Sequence, residues 1–323
     1  MKHPFSRRLI TIGVVVILWA VAVGAFPILL VLAAIVDSIR WIVARTPFMA
    51  TRLMIFGAAY LTVEVAGIVA MGAAWVSAIG SERRLLDRTF AIQRWWAETV
   101  FRVVRRVFGL TFDADGLDSV VDPDMIIVAR HASIVDNLLA AHYITRPHGT
   151  HISYVMKSEL QVDPCLDIAG NRLPNLFVRR GVSGAEVASI RTLGARERTV
   201  IIYPEGTRFD PAKLQRALRR LRSSPDFSAI AETFTHVLPP RLSGTLALLE
   251  TNSGDVVVMA HRGLDGFARI ADIWRGAMVG THVQAEFWRI PREEIPEGRA
   301  ERAMWLFETW RRLDDWVGGA RRG

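Results

Sequence analysis

The sequence has almost no cysteine and no low-complexity linker, and both absences narrow the class of protein. Cys165 is the single cysteine among 323 residues, so no internal disulfide can form, which agrees with a reducing compartment. The G-x-S-x-G pattern of serine hydrolases is also missing, because GVSG at 181–184 has the wrong spacing. Without internal repeats either, the chain is expected to hold one domain of catalytic size behind a membrane segment.

Charge is missing from a long stretch near the N-terminus. Residues 9–36 contain no charged side chain and exceed the roughly 20 apolar residues that a membrane-spanning helix requires. A second stretch, residues 55–79, is apolar apart from Glu64. The first run is longer than the hydrophobic region of a signal peptide, about 7 to 15 residues. The sequence therefore predicts a membrane anchor of two hydrophobic helices within residues 1–80, either spanning the bilayer or, because of Pro27, re-entrant.

Arginine is abundant, and the net charge is +8. Basic residues before the first apolar stretch and after the second outweigh those between them, which favours a hairpin with both ends on the cytoplasmic side of the cell (inner) membrane. Residues 81–109 interleave arginines with aromatic residues, a pattern typical of a helix in the headgroup layer. A core-packing helix with a solvated basic face is an equal alternative. No nucleic-acid-binding motif accompanies the charge, so we expect the membrane rather than nucleic acid as partner.

Residues 110–323 alternate between strand-like and helix-like segments. Apolar runs typical of strands occur in the segments TFDA, MIIVA, HISYVM, NLFVR, TVIIYP, VVVMA and HVQAEFW. Helical segments such as SGAEVASIRTLGA and PAKLQRALRRLR separate several of them. This alternation predicts an α/β domain with a mixed, largely parallel sheet flanked by helices.

One of these strands is followed by a histidine and an aspartate. In MIIVARHASIVDNLL, residues 125–139, His131 and Asp136 are five residues apart. They would point about 140° apart on one continuous helix, but a turn at His131 followed by a helix at Asp136 would let the carboxylate reach the ring. Asp136 would then fix the tautomer of His131 and leave the second ring nitrogen as a base. Taken alone, the same pair could be a surface turn with an acidic residue at a helix start.

Three further strand ends carry arginine and glycine. The segment YPEGTRF places Glu205, Gly206, Thr207 and Arg208 in a small turn after a buried strand, where backbone N–H groups and a guanidinium can face an anion. NLFVRRG ends in Arg179 and Arg180, and VLPPR ends in Arg241. Because ligands bind at the carboxyl ends of the strands in such folds, we expect these residues near His131.

The order HASIVD, FVRRG, YPEGTRF and VLPPR resembles the four motif blocks of the glycerolipid acyltransferase family, which includes 1-acylglycerol-3-phosphate acyltransferases. The resemblance covers roughly residues 110–265. It implies that His131 is the catalytic base with Asp136 as its partner. It also implies that Glu205, Gly206, Thr207, Arg208 and Arg180 bind the substrate phosphate. Arg130 stands where many members have asparagine.

The resemblance implies a membrane-bound O-acyltransferase of phospholipid biosynthesis. It would transfer an acyl group from acyl-CoA or acyl-carrier protein to a lysophospholipid, first of all 1-acyl-sn-glycerol-3-phosphate, without a metal or resident cofactor. Another lysolipid acceptor (lysophosphatidylinositol, lysocardiolipin or a glycolipid) is the alternative within the family. A lipid-binding protein that has kept the fold but not catalysis is the alternative outside it.

Overall fold

A mixed sheet forms the centre of the computed structural model, which describes residues 4–120, 124–179, 184–196, 198–224, 226–267 and 270–319. The strands within these ranges are β1 (Thr111–Asp115), β2 (Ile126–Ala129), β3 (Ser153–Lys157), β4 (Leu176–Val178), β5 (Val200–Ile202), β6 (Val256–Arg262) and β7 (His282–Ile290). Their order across the sheet is β1-β7-β6-β2-β5-β3-β4. All neighbouring strands run parallel except β6 and β7. This arrangement confirms the predicted fold class.

Helices precede the sheet and cover both of its faces. They are α1 (Pro4–Gly24), α2 (Phe26–Ala44), α3 (Met49–Ser77), α4 (Glu82–Phe108), α5 (Asp136–Ala140), α6 (Arg146–His148), α7 (Pro164–Arg172), α8 (Gly184–Gly194), α9 (Pro211–Leu221), α10 (Ser228–Ala231), α11 (Leu242–Thr251), α12 (Ile270–Trp274) and α13 (Arg299–Val317). A π-helical turn, Ala141–Thr145, continues α5.

The central strands are buried on both faces, as in parallel sheets generally. Along β2, Ile127 and Ala129 pack into the core shared with α4, α5 and α7. Ile126 and Val128 pack into the opposite core, which α8, α11 and α13 cover. Successive side chains of a strand alternate between faces, so the short apolar run of β2 fills two cores at once and presents its carboxyl end to the site.

The N-terminal apolar region contains three helices rather than the two that the sequence predicted. Residues 9–36 are divided between α1 and α2, and α3 is the third helix long and apolar enough to cross a membrane in the described part of the chain. The break lies at Ala25, two residues before Pro27, which belongs to the first turn of α2. Proline has no N–H to donate and its ring clashes with the preceding turn, which accounts for the interruption.

The three helices nevertheless form a two-armed hairpin. Trp19 of α1 donates a hydrogen bond to Thr62 of α3 at 3.2 Å. Asp37 of α2 accepts hydrogen bonds from the first backbone N–H groups of α3, including those of Met49 at 3.0 Å and Thr51 at 2.8 Å. Helices α1 and α2 form the first arm of this hairpin, and earlier residues of this arm contact later residues of α3. Together α1 and α2 run antiparallel to α3.

Helix α4 is mainly a core helix. Phe90, Trp96, Phe101 and Phe108 are buried, and Trp95 is the exposed aromatic side chain at 42%. Glu64, the acid within α3, accepts a hydrogen bond from the indole N–H of Trp96 at 2.6 Å. Most aromatic residues of the segment 81–109 therefore pack α4 against α3 and the sheet, as the core-packing alternative for this helix expects.

Candidate active site

His131 and Asp136 lie side by side at the carboxyl end of β2. Nδ1 of His131 is 2.9 Å from Oδ2 of Asp136. His131 lies in the turn after β2, and Asp136 is the first residue of α5, so the contact has the geometry that the spacing predicted. Because a carboxylate can only accept, Nδ1 carries the proton and Nε2 is left with a lone pair. The side chain of His131 keeps 15% exposure, whereas that of Asp136 is fully buried.

Asp136 is held by donors on both carboxylate oxygens. Besides His131, Oδ2 accepts hydrogen bonds from the backbone N–H groups of Ala132 at 2.7 Å and Ser133 at 2.8 Å. The hydroxyl of Ser133 donates to Oδ1 at 2.7 Å. Burial alone would raise the pKa of Asp136, but the nearby His261 and His131 and the bond from Ser133 outweigh it and lower the pKa. The carboxylate therefore stays ionised and can stabilise positive charge on His131.

A second histidine, which no sequence motif indicated, lies behind Asp136. Nε2 of His261, on β6, is 3.1 Å from the carbonyl oxygen of Arg130 and 3.5 Å from Oδ1 of Asp136. A carbonyl only accepts, so Nε2 of His261 carries the proton. In return Arg130 donates from Nη1 to the carbonyl oxygen of His261 at 2.7 Å. This reciprocal pair fixes the backbone immediately before His131.

Arg130 is fully buried and joins three parts of the site. Its guanidinium also donates to the carbonyl oxygen of His236 at 3.0 Å and forms an ion pair with Asp265. His236 belongs to the segment that leads into VLPPR, so Arg130 connects the first and fourth motif blocks. Arg130, at a position where many family members have asparagine, thus places a buried positive charge beside the site.

Glu205 lies inside the protein, and its part in phosphate binding stays a prediction. Its side chain is 1% exposed. The carboxylate accepts hydrogen bonds from the backbone N–H groups of His131 at 2.8 Å and Leu238 at 3.2 Å. Burial raises the pKa of Glu205 to about 8, despite the opposing charge of Arg130 and these two bonds. Glu205 therefore ties the first, third and fourth motif blocks together from inside.

The remaining residues of the EGTR turn lie at its surface. Gly206 adopts a φ of +64°, and a Cβ there would lie 2.9 Å from Cδ of Arg241, so the position requires glycine. Lys213 of α9 donates from Nζ to the hydroxyl of Thr207 at 3.0 Å and to the carbonyl oxygen of Arg208 at 2.9 Å. Lys213 was not among the predicted site residues, although its position in the basic helix after EGTRF is a signal that could have indicated it.

One of the arginines from the other motif blocks lies against the turn. Arg241 is exposed, and its guanidinium lies against Gly206. Arg241 also donates its backbone N–H to the carbonyl oxygen of Pro204 at 2.8 Å, which fixes the fourth block against the third. Arg179 is exposed at the end of β4. The predicted phosphate contact Arg180 lies outside the described residues.

An apolar cavity lies next to the turn that carries His131 and Asp136. Its volume is about 330 Å³. Ile134, Val135 and Leu138, from the turn after His131 and from α5, line one side, and Phe90, Trp96 and Ala97 of α4 line another. Tyr60 of α3 also lines it. The cavity thus lies between the N-terminal hairpin and the catalytic domain, and its walls suit a hydrocarbon chain.

The region that contains His131, Asp136 and the EGTR turn matches a known family. The profile of the family described as Acyltransferase matches residues 112–243. The protein carries an acyltransferase domain. This finding confirms the predicted resemblance to acyltransferases and supports an enzyme that transfers acyl groups. A search of curated proteins gave no significant match.

The fold also matches a solved acyltransferase structure, that of the 1-acyl-sn-glycerophosphate (LPA) acyltransferase PlsC from Thermotoga maritima. The TM-score is 0.56 at 13% sequence identity, and the match covers 83% of this chain and 98% of that one. At this identity the likeness establishes the fold. It extends well beyond residues 112–243, which the family profile covers.

Proposed function

We propose that this acyltransferase esterifies the free hydroxyl of a lysophospholipid, with 1-acyl-sn-glycerol-3-phosphate as the acceptor and acyl-CoA or acyl-carrier protein as the donor. The observation that carries the proposal is the bond of 2.9 Å between His131 and Asp136, next to an apolar cavity that Ile134, Val135 and Leu138 line. The name of the Thermotoga maritima structure gives the same acceptor for that protein.

The reaction follows from the state of His131. An alcohol attacks a thioester only if its proton leaves as the new C–O bond forms, and an imidazole is suited to accept it near neutral pH. Nε2 of His131 takes the hydroxyl proton while the oxygen attacks the thioester carbon. The tetrahedral intermediate then expels the thiolate, which takes the proton back from His131. Asp136 stabilises the imidazolium between these steps.

Three backbone N–H groups of the HASIVD turn already have acceptors within the protein. The backbone N–H groups of His131, Ala132 and Ser133 all point at carboxylates, so these three groups cannot stabilise the developing negative charge. We therefore expect the oxyanion hole to be formed by other backbone N–H groups of the motif turns.

Basic residues around the EGTR turn suit the acceptor phosphate. Arg208, Lys213 and Arg241 lie on or beside this turn, which is joined to His131 by the bond from the N–H of Phe209 to the carbonyl oxygen of His131 at 3.0 Å. Guanidinium and ammonium groups favour a phosphate dianion. The phosphate would thus be held a short distance from the base, with the hydroxyl of the same molecule at Nε2.

An acceptor panel tests the acceptor assignment. Purified full-length protein in detergent would receive labelled acyl-CoA, and separately acyl-carrier protein, with lysophosphatidic acid, lysophosphatidylinositol, lysocardiolipin and glycerol 3-phosphate. Preferred esterification of lysophosphatidic acid is expected. Preference for another acceptor would keep the mechanism and replace the substrate. No transfer to any acceptor would favour the lipid-binding alternative.

We further propose that the hairpin lies along the membrane surface, with the catalytic domain on the cytoplasmic face of the cell membrane. At one end of the hairpin, Arg7 and Arg8 form ion pairs with Asp167 of α7 at 2.7 Å and 3.0 Å. At the other end, Arg40 donates to the carbonyl oxygen of Trp274 at 2.9 Å. Both ends thus rest on the same domain, which a hairpin crossing the bilayer would not allow.

The exposed face of the first arm is apolar. Large apolar side chains are exposed along α1 and α2, including Leu9, Ile17, Val21, Ile28, Ile35 and Ile42. Such a face, with arginines at both ends, matches an interfacial attachment.

The single cysteine makes this topology testable. In a Cys165→Ala background, Phe5→Cys and Phe48→Cys would report the two ends of the hairpin to a membrane-impermeant maleimide. We expect both to be labelled from the cytoplasmic side of inverted vesicles. Labelling of Phe48→Cys from the opposite side alone would show a spanning hairpin.

A further inference from the structure

A second cavity lies where α3 begins and α4 ends. Its volume is about 430 Å³, and its lining consists of Phe48, Thr51, Arg52, Ile55, Arg106 and Val107. This groove shares no lining residue with the cavity next to His131 and Asp136. The two adjoin, because Ile55 and Phe56 are consecutive on α3 and Val104 and Arg106 are two residues apart on α4.

The groove carries positive charge without a matching acid in its lining. Arg52 is anchored by a hydrogen bond from Nη1 to the carbonyl oxygen of Val107, and its Nε is buried without an acceptor among the described residues. Arg106 is exposed in the last turn of α4. A buried donor without a partner costs free energy unless a ligand or water accepts from it. Together the two guanidinium groups make the groove a site for an anion.

The same groove is apolar on its other walls. Phe48 and Ile55 are exposed at 41% and 37%, and Val107 contributes further apolar surface. Next to it, Arg45 ends α2 and its guanidinium lies 4.3 Å from the centre of the Trp41 ring. Arginine beside exposed tryptophan and phenylalanine is characteristic of the headgroup level of a membrane. A ligand that satisfies both kinds of wall must have a negative charge and a hydrocarbon chain.

We propose that this groove binds one anionic phospholipid of the surrounding bilayer. Its phosphodiester would accept hydrogen bonds from Arg52 and Arg106, and the first part of an acyl chain would lie against Phe48 and Ile55. Bidentate binding of phosphate is the geometry to which guanidinium is best suited. The bound lipid would hold the turn of the hairpin at the membrane, independently of acyl transfer.

Vesicle binding by the full chain tests this site. Sedimentation with phosphatidylcholine vesicles would be compared with sedimentation with vesicles that also contain phosphatidylglycerol. The test variants are Arg106→Gln, which keeps the bond from Arg52 to Val107, and the double variant Arg52→Gln/Arg106→Gln. The matched control is Arg216→Gln/Arg219→Gln on α9, which removes the same charge. Acyl transfer in detergent micelles is measured in parallel as a check of folding.

The preference for phosphatidylglycerol vesicles should fall about fivefold for each groove arginine removed, whereas the control should change it by less than about twofold. Inorganic phosphate should not displace the protein from the vesicles, since it offers no chain to Phe48 and Ile55. Equal losses in the groove and control doubles would show a general charge effect and overturn the proposal. An unchanged preference in the groove double, or displacement by inorganic phosphate, would overturn it as well.

Discussion

Replacing Asp136 with asparagine would remove the negative charge behind His131 while keeping most of the hydrogen bonds. The amide oxygen can take the place of Oδ2, which accepts from Nδ1 of His131 at 2.9 Å and from the N–H of Ala132 at 2.7 Å. The new amide N–H group would then face the Ser133 hydroxyl, now 2.7 Å from Oδ1, and that hydroxyl can accept. The contacts of Oδ1 with the N–H of Ser133 at 3.0 Å and with Nε2 of His261 at 3.5 Å would be lost. The variant should therefore fold and keep the tautomer of His131.

The loss would come from the charge. With a separation of about 4 Å between the charge centres and an effective dielectric constant of about 20, an imidazolium and a carboxylate attract each other by about 4 kcal/mol. If this attraction is available only while His131 holds the proton, kcat should fall by about a thousandfold. KM for the acceptor should change little, because Asp136 is buried and touches no substrate group.

The assay is acyl transfer to lysophosphatidic acid under saturating conditions, with circular dichroism to verify the fold. Asp136→Ala provides the comparison, since it also leaves the N–H groups of Ala132 and Ser133 without their acceptor and should lower the melting temperature in addition. An Asp136→Asn enzyme with kcat within about tenfold of the wild type would refute the role of the charge.

Three further predictions concern the surroundings of the catalytic pair. Burial raises the pKa of Glu205 from 4.5 to about 8. The stability that the protonated Glu205 contributes is therefore full below pH 4.5 and is lost as pH rises through 8. Glu205→Gln should flatten the fall in melting temperature between these pH values, and an unchanged slope would contradict the raised pKa of Glu205. Lys213→Met should raise KM for lysophosphatidic acid about fivefold, since it removes the bonds to Thr207 and Arg208, whereas Arg220→Met on the same helix should leave KM unchanged. Ala97→Phe would fill part of the apolar cavity and should reduce kcat/KM more for long than for short acyl-CoA donors; an equal loss for all chain lengths would place the acyl chain elsewhere.

The strands were predictable because a buried strand appears in the sequence as a short run of apolar residues. Each predicted strand segment contains or overlaps a strand of the structure, from Thr111–Asp115 to His282–Ile290. The interruption of the first apolar stretch was harder to place, since Pro27 can kink, end or begin a helix. The packing of α4 also depends on partners distant in sequence, such as Glu64 with Trp96.

The site was predictable in its catalytic pair but less so in its scaffold. The contact between His131 and Asp136 needs only a turn and a helix start, which local sequence can indicate. The internal role of Glu205 depends on the backbone of Leu238, 33 residues away, and a motif cannot show whether a carboxylate points inward or outward. His261 reaches Asp136 from β6, and only the order of the strands in the sheet brings the two together.

The most direct test of the account is the rate of acyl transfer to lysophosphatidic acid with His131→Ala beside the wild type. A general base contributes about 10² to 10⁴ in rate, so the variant should lose at least about a hundredfold in kcat while still binding vesicles and unfolding at the wild-type temperature. Transfer within about threefold of the wild-type rate would contradict the assignment of His131 as the base.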